Sequence, residues 1–175
     1  MKTYIIAALS ADGFIAKNNT ESSTKWTSKE DTAFFRERTK KTGVMIMGST
    51  TFETFGGKPL PGRRNIIYSR SKKYEGVETT SESPKDLLNR LKKEGVEEVA
   101  ICGGSSIYTL FAEAGLVDKL ILTIENIIFG EGVRLFNKKI DLKICLALHQ
   151  QIGPNTVVLE YDVKLLKHAE PKIHH

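Results

Sequence analysis

Short apolar runs rich in Ile, Val and Leu alternate with stretches of helical spacing along most of this chain, and that alternation limits its fold more than any other feature. The runs "TYIIAAL", "VMIMG", "RNIIYS", "EEVAICGG" and "DKLILTIEN" read as buried strands, because strands covered on both faces lose the polar–apolar alternation. The segments between them carry helix-end signals. "SKEDTAFFRERTKK" begins at Ser28 with an acid three residues on. "SPKDLLNRLKKEG" has Ser83 as N-cap, Pro84 at the first helical position, Asp86 in the first turn and Gly95 past its end, and "SSIYTLFAEAG" closes at Gly115. Strands alternating with helices imply right-handed crossovers, with helices on both faces of a sheet. The rhythm breaks near the end, where "KICLALHQQ" and "NTVVLEYDVK" are consecutive strand-like runs joined by a "GPN" turn suited to a hairpin. The expected fold is α/β: a single-domain mixed sheet, mostly parallel, with an antiparallel C-terminal edge. No repeat or linker divides residues 1–164, and residues 165–175 are read as a tail.

A chain of 175 residues suits one domain and can bury roughly two-thirds of its unfolded surface without covalent staples. Its two cysteines, Cys102 and Cys145, lie far apart in apolar runs with no metal-ligand spacing, which predicts reduced core thiols, no zinc and a cytoplasmic setting. The N-terminal apolar run is too short for a membrane span and lacks a cleavage pattern. The net charge of +5 is spread among interspersed acids rather than gathered in blocks. No aromatic–basic ladder accompanies it, so a small anionic molecule is a better partner than nucleic acid. Three of the four histidines fall in the tail. The partners expected are a small-molecule substrate and, for the chain itself, a monomer or homodimer.

Ligands of open α/β sheets bind beyond the carboxyl ends of strands, where helix N-termini offer free N–H groups. Two such places stand out. In "AICGGSSIY", Gly103 and Gly104 allow close backbone approach and Ser105 and Ser106 open a helix; in "IMGSTTFETF", Gly48 precedes Ser49, Thr50 and Thr51 at a short helix. A pair of such turns suits a dinucleotide, although both also read as plain strand-to-helix turns, and neither fits the usual dinucleotide or P-loop fingerprint. Asp31 has two readings. With Ser28 it makes an S-x-x-D capping box, yet Asp31, Phe35 and Arg38 share one helical face that can look into a cleft. In "KPLPGRRNIIYSR", Pro59, Pro61 and Gly62 fix a turn ahead of Arg63 and Arg64, one of which can face a ligand carboxylate or phosphate. Ser69 and Arg70 end that strand in a basic turn.

These motifs together resemble the dihydrofolate reductase superfamily, from Tyr4 to Tyr161. "IIAALSADGFIA" is similar to its first strand and active-site loop, and "KWTSKEDTAFFRERT" to the helix bearing its catalytic carboxylate. "VMIMGSTTFETFGGKPLPGRRNIIYSR", "ICGGSSIYTLF" and "DKLILTIEN" complete the pattern in order. The resemblance implies a dihydrofolate-reductase-like domain over residues 1–164 that reduces dihydrofolate to tetrahydrofolate with NADPH. On it, Asp31 binds the pterin and assists protonation at N5, and Thr123 hydrogen-bonds Asp31. Phe35 packs on the ligand, Arg63 pairs with the glutamate α-carboxylate, and Ala8 and Leu9 line the pterin pocket. Gly48, Ser49, Thr50 and Thr51, with Gly103, Gly104, Ser105, Ser106 and Ile107, hold the cofactor pyrophosphate and adjoining groups. Ser69 and Arg70 meet its 2′-phosphate, and Ile15, Ala8, Cys102 and Tyr108 lie along its nicotinamide side.

A second branch of the superfamily, the reductase domain of riboflavin biosynthesis, is similar in "SADGFIA" and "GLVDKLILTIENIIFGEGVRLF". It implies a phosphorylated ribosylaminopyrimidine as the alternative substrate. A non-catalytic nucleotide-binding module is the alternative outside catalysis. The chain also departs from folate enzymes at Ser49, where many have arginine, and in a longer loop, "AKNNTESSTKW".

Overall fold

The structure is a computed structural model and describes residues 1–164; the expected tail lies outside the described residues. In chain order the elements are β1 (Lys2–Leu9), β2 (Phe14–Ala16), a single 3-10 turn at Ser23–Lys25, α1 (Lys29–Thr42), β3 (Val44–Gly48), α2 (Ser49–Thr54) and β4 (Arg64–Tyr68). They continue with β5 (Glu78–Thr80), α3 (Pro84–Lys93), β6 (Glu98–Ile101), α4 (Ser105–Glu113), β7 (Lys119–Ile124), β8 (Val133–Arg134), β9 (Lys143–Gln151) and β10 (Val157–Lys164). One eight-stranded sheet has the order β5-β4-β3-β6-β1-β7-β10-β9, and β2 pairs separately with β8. Pairing is parallel from β5 through β7 and antiparallel where β10 joins β7 and β9. This is the mixed sheet expected from the alternating runs and the terminal hairpin.

The period of two along each strand divides the core. Ile5, Ala7 and Leu9 of β1 point to the layer built by Leu87, Leu91, Tyr108 and Phe111 of α3 and α4. Tyr4 and Ile6 point to the other layer, with Met45, Met47 and Phe52 and the half-buried Phe34 and Phe35 of α1. That alternation corrects one expectation: Leu9 is a core residue, and its neighbour Ala8 carries the wall of the cleft.

Helix ends follow the sequence signals. Gly43 ends α1 with φ 79°, a conformation that costs glycine little. Ser83 Oγ accepts the Asp86 N–H at 3.2 Å and donates to its carboxylate at 2.7 Å, behind Pro84 in the first turn of α3. Ser83→Ala is expected to destabilise the fold by about 1 kcal/mol, read as a lower urea midpoint with unchanged slope.

The hairpin strand β9 overturns another expectation. Its run is apolar, yet every residue is exposed, with Ile144, Leu146 and Leu148 at 43%, 51% and 43%. Cys145 is therefore an exposed thiol, whereas Cys102 is buried as expected. The physical reason is position: β9 is the last strand of the sheet, and apolar character along a strand does not tell an edge from an interior. Among the described residues no helix is long and apolar enough to cross a membrane.

Candidate active site

The carboxyl ends of β5, β4, β3, β6 and β1 stand side by side, and the chain leaving them lines one cleft of about 910 Å³. That volume lies in the upper part of the range of about 300–1,000 Å³ typical of small-molecule sites. Taken across the sheet, the lining comes from Thr80 to Pro84 after β5, Ser69 and Arg70 after β4, and Gly48 to Thr51 at the β3–α2 junction. Cys102 to Tyr108 follow from β6 into α4, and Ala8 comes from β1. Ile15 of β2 and Asp31 and Phe35 of α1 complete it. All the residues read as cofactor-binding from the sequence thus meet in one place.

Asp31 is only 7% exposed. Its backbone N–H donates to Ser28 Oγ at 3.1 Å, as a capping box requires. The reciprocal bond is missing: the Ser28 N–H donates instead to Glu125 Oε1 at 2.9 Å, and Ser28 Oγ donates to the same oxygen at 2.8 Å. Thr156 Oγ1 holds the second oxygen of Glu125 at 3.1 Å. With Glu125 serving the helix end, the Asp31 side chain belongs to the cleft rather than to the cap. Burial pushes its carboxyl up to about 6; a hydrogen bond with Thr123 opposes this, the Glu125 charge adds to it, and a bond with Thr27 again opposes it. A carboxyl so tuned can hold and release a proton near neutral pH.

Three of the expected site residues stand outside the lining. Thr123 is 1% exposed and acts through Asp31. Leu9 is in the core. Arg63 is turned towards α1, where Nη1 donates to Thr39 Oγ1 and Nε and Nη2 each donate to the Pro61 carbonyl at 3.1 Å. The turn fixed by Pro61 and Gly62 lays Arg63 along the helix one turn past Phe35, whose carbonyl accepts the Thr39 hydroxyl at 2.7 Å. Arg38 also leaves the cleft face, stacking on the Tyr4 ring at 4.7 Å.

The other end is built for close approach. A Cβ on Gly104 would lie 3.0 Å from Thr51 Oγ1, and Gly103 has φ +114°, so backbone forms the wall there. The Gly48 N–H donates to the Gly103 carbonyl at 2.8 Å and ties the two glycine turns together. Helix α4 begins without a side-chain cap. The Ser105 and Tyr68 hydroxyls, both on the cleft, are buried without hydrogen-bond partners among the described residues. Such groups are free to bond water or a polar ligand in the cleft. Burial holds the Cys102 thiol far above the ordinary range, so it is no nucleophile.

The loop after β1 is clasped from below. Asp12 accepts from Ser10 Oγ at 2.7 Å, from the Gly130 N–H at 2.7 Å and from the Phe129 N–H at 3.1 Å, while Trp26 meets Phe129 edge-on with ring centroids 5.0 Å apart. Sequence reasoning missed Glu125, Thr27, Tyr68 and Glu82. The first carried a signal: Glu125 lies two positions past Thr123, so period two puts both on one face of β7 and its continuation.

Comparison with known proteins agrees with this geometry. The chain is 40% identical over 110 residues to a dihydrofolate reductase of Neisseria gonorrhoeae, a match covering 62% of this chain and 64% of that one. It therefore spans just under two-thirds of that curated relative. Among solved structures, a putative riboflavin biosynthesis protein from Shewanella sp. PV-4 superposes with a TM-score of 0.75 at 20% identity, covering 94% of this chain and 100% of the other. A dihydrofolate reductase from Enterococcus faecalis, complexed with NADP(H), gives 0.71 at 24% identity, covering 93% and 96%. These two likenesses establish the fold. The model of the family described as dihydrofolate reductase matches residues 2–141, which include every residue that lines the cleft, and the chain belongs to that family.

Proposed function

We propose that this protein reduces 7,8-dihydrofolate to 5,6,7,8-tetrahydrofolate with NADPH. The observation that carries the reading is the buried Asp31 carboxyl, pushed up to about 6, on the same cleft wall as Phe35. A pteridine presents an amidine-like edge that pairs with a carboxylate, and its N5 takes up a proton during reduction, so a buried acid that titrates near neutrality suits both tasks. NADPH, when bound, supplies the hydride. The groups that fit it are the glycine turns at Gly48 and Gly103–Gly104, the unpartnered Ser105 hydroxyl, and Ser69 with Arg70 for a further phosphate. The chain's own contribution is placement and proton supply: the glycine wall fixes one ligand, Phe35 packs on the other, and Asp31 holds the proton in a partly dry cleft.

Arg63 is oriented by Pro61 and Thr39 on the turn of α1 next to Phe35, where a ligand tail passing that ring would meet its outer N–H edge. Arg63→Ala is expected to raise KM for glutamylated substrate by about tenfold, the scale of one charge-assisted pair, and to leave KM for NADPH unchanged. A change confined to NADPH would reverse this placement of the two ligands.

The segments similar to riboflavin-pathway reductases have structural work that accounts for them. Asp12 clasps Phe129 and Gly130, and Asp118 of "GLVD" accepts the Thr3 N–H at 2.8 Å at the start of β7. They do not vote on the substrate, whereas Asp31 does. The test is loss of NADPH absorbance with dihydrofolate, run beside the phosphorylated ribosylaminopyrimidine. Turnover of dihydrofolate is the expected result; turnover of the pyrimidine alone would transfer the chain to the riboflavin-type reaction, and cofactor binding with no turnover would make it a nucleotide-binding module.

A further inference from the structure

Four charged side chains line the cleft: Glu21, Asp31, Arg70 and Glu82, one cation against three acids. An anionic dinucleotide is an odd guest for such a balance, and the oddity is sharpest at one end. Strands β4 and β5 run parallel with Tyr68 beside Thr80, and the Ser69 N–H donates to the Thr80 carbonyl at 3.0 Å. The segments Ser69–Arg70 and Ser81–Glu82 therefore leave the sheet next to each other, on the far side of β3 from Gly103 and Gly104. On the reading of the cleft as a dinucleotide site with Ser69 and Arg70 at its 2′-phosphate end, which this inference requires, the adenosine ribose would lie between them.

Glu82 is held in place. Thr80 Oγ1 donates to its Oε2 at 2.9 Å, Arg90 Nε to Oε1 at 3.1 Å and Arg90 Nη2 to Oε2 at 2.7 Å. Arg90 does not cancel its charge, because the same guanidinium also serves Glu78 and Glu94, and Arg64 serves those two again. Two arginines thus answer three carboxylates, leaving the group one negative charge in excess. Arg70 makes no ion pair among the described residues.

A carboxylate beside a ribose accepts hydrogen bonds from its hydroxyls and repels a phosphate there, and an arginine does the reverse. Here both stand at the same end. We infer that Glu82 is a specificity-determining residue, a fixed carboxylate that offsets Arg70 and lets the site take nicotinamide dinucleotides with or without a 2′-phosphate. The sequence offered little hint of this, since the three-residue strand that carries Thr80 to the cleft is too short and polar to be recognised as a strand.

The test is direct binding of NADPH and of NADH to the full chain, by titration calorimetry at one fixed ionic strength without substrate. Wild type is expected to bind the two within about tenfold of each other. Glu82→Gln and Glu82→Ala should each shift the ratio of dissociation constants towards NADPH by about tenfold, the order expected when a unit charge within a Debye length of a dianion is removed. NADH binding should hold within about threefold in Glu82→Gln, which keeps an acceptor for the ribose hydroxyls, and weaken in Glu82→Ala, which does not; Arg70→Ala should shift the ratio the opposite way. Two variants guard against a local folding defect, since a disturbed loop would weaken both cofactors together. Equal change for both cofactors, an unchanged ratio, or a wild-type preference for NADPH above about a thousandfold overturns the role of Glu82. Failure of wild type to bind either dinucleotide overturns the dinucleotide reading itself, and this inference with it.

Discussion

Asp31→Asn is expected to lower dihydrofolate turnover at neutral pH by at least about 10²-fold while leaving the dissociation constant for NADPH nearly unchanged. The same variant should be more stable than wild type. Burial lifts the Asp31 carboxyl from 3.8 to about 6, so between those values the folded chain binds the proton more tightly than the unfolded chain. The contribution of Asp31 to stability accordingly falls as pH rises through that window, and above it the fold carries a buried charge. At about 1.4 kcal/mol per pH unit, the neutral amide should recover about 3 kcal/mol at pH 7 and nothing at pH 3. Urea unfolding at the two pH values reads this directly. Wild-type turnover limited by proton supply should decline as pH rises beyond about 6, and the variant should lack that limb. An undiminished rate in Asp31→Asn would return the residue to the helix cap.

Glu125→Ala, by contrast, should destabilise the fold by about 3–5 kcal/mol. Glu125 is 2% exposed and receives hydrogen bonds from the Ser28 N–H, the Ser28 hydroxyl and Thr156. Hydrogen bonds to a charged group contribute roughly 1.5–3 kcal/mol each, and the partners would be left buried and unanswered. Glu125→Gln separates position from charge. It retains an acceptor for Ser28 and is expected to cost about 1–2 kcal/mol. Removing the negative charge that helps lift the Asp31 carboxyl should also move the alkaline limb of the pH–rate profile to lower pH. A purely structural Glu125 would change the unfolding midpoint and leave that limb where it stands.

The interior of the sheet was legible because Ile- and Val-rich runs between capped helices have few other folded solutions, and the helix ends fell where Ser28, Ser83 and the following glycines put them. The strands "FIA", "ETT" and "VR" were not legible, being short and weakly apolar, and overlooking "ETT" hid the route by which Glu82 reaches the cleft. Cys145, in the apolar run of β9, was misjudged as a core thiol because exposure depends on whether another strand or helix covers the run. Most of the glycine wall of the cleft could be read from glycines beside serines and threonines. The double reading of Asp31 could not be resolved locally, because the residue that releases it from the cap lies 97 positions from Ser28. Arg63 was recognised, but its direction is set by Thr39, one helical turn beyond Phe35, rather than by the strand it precedes.

The position of Thr156 gives the site an order of assembly. Every element of the glycine wall, from β3 through α4, precedes residue 114, whereas the carboxylate that secures the start of α1 is gripped by a residue just ahead of the last described strand. Synthesis runs from the N-terminus, so the residues of that wall leave the ribosome before Thr156 does. The acid's setting is thus completed only when the β9–β10 hairpin docks.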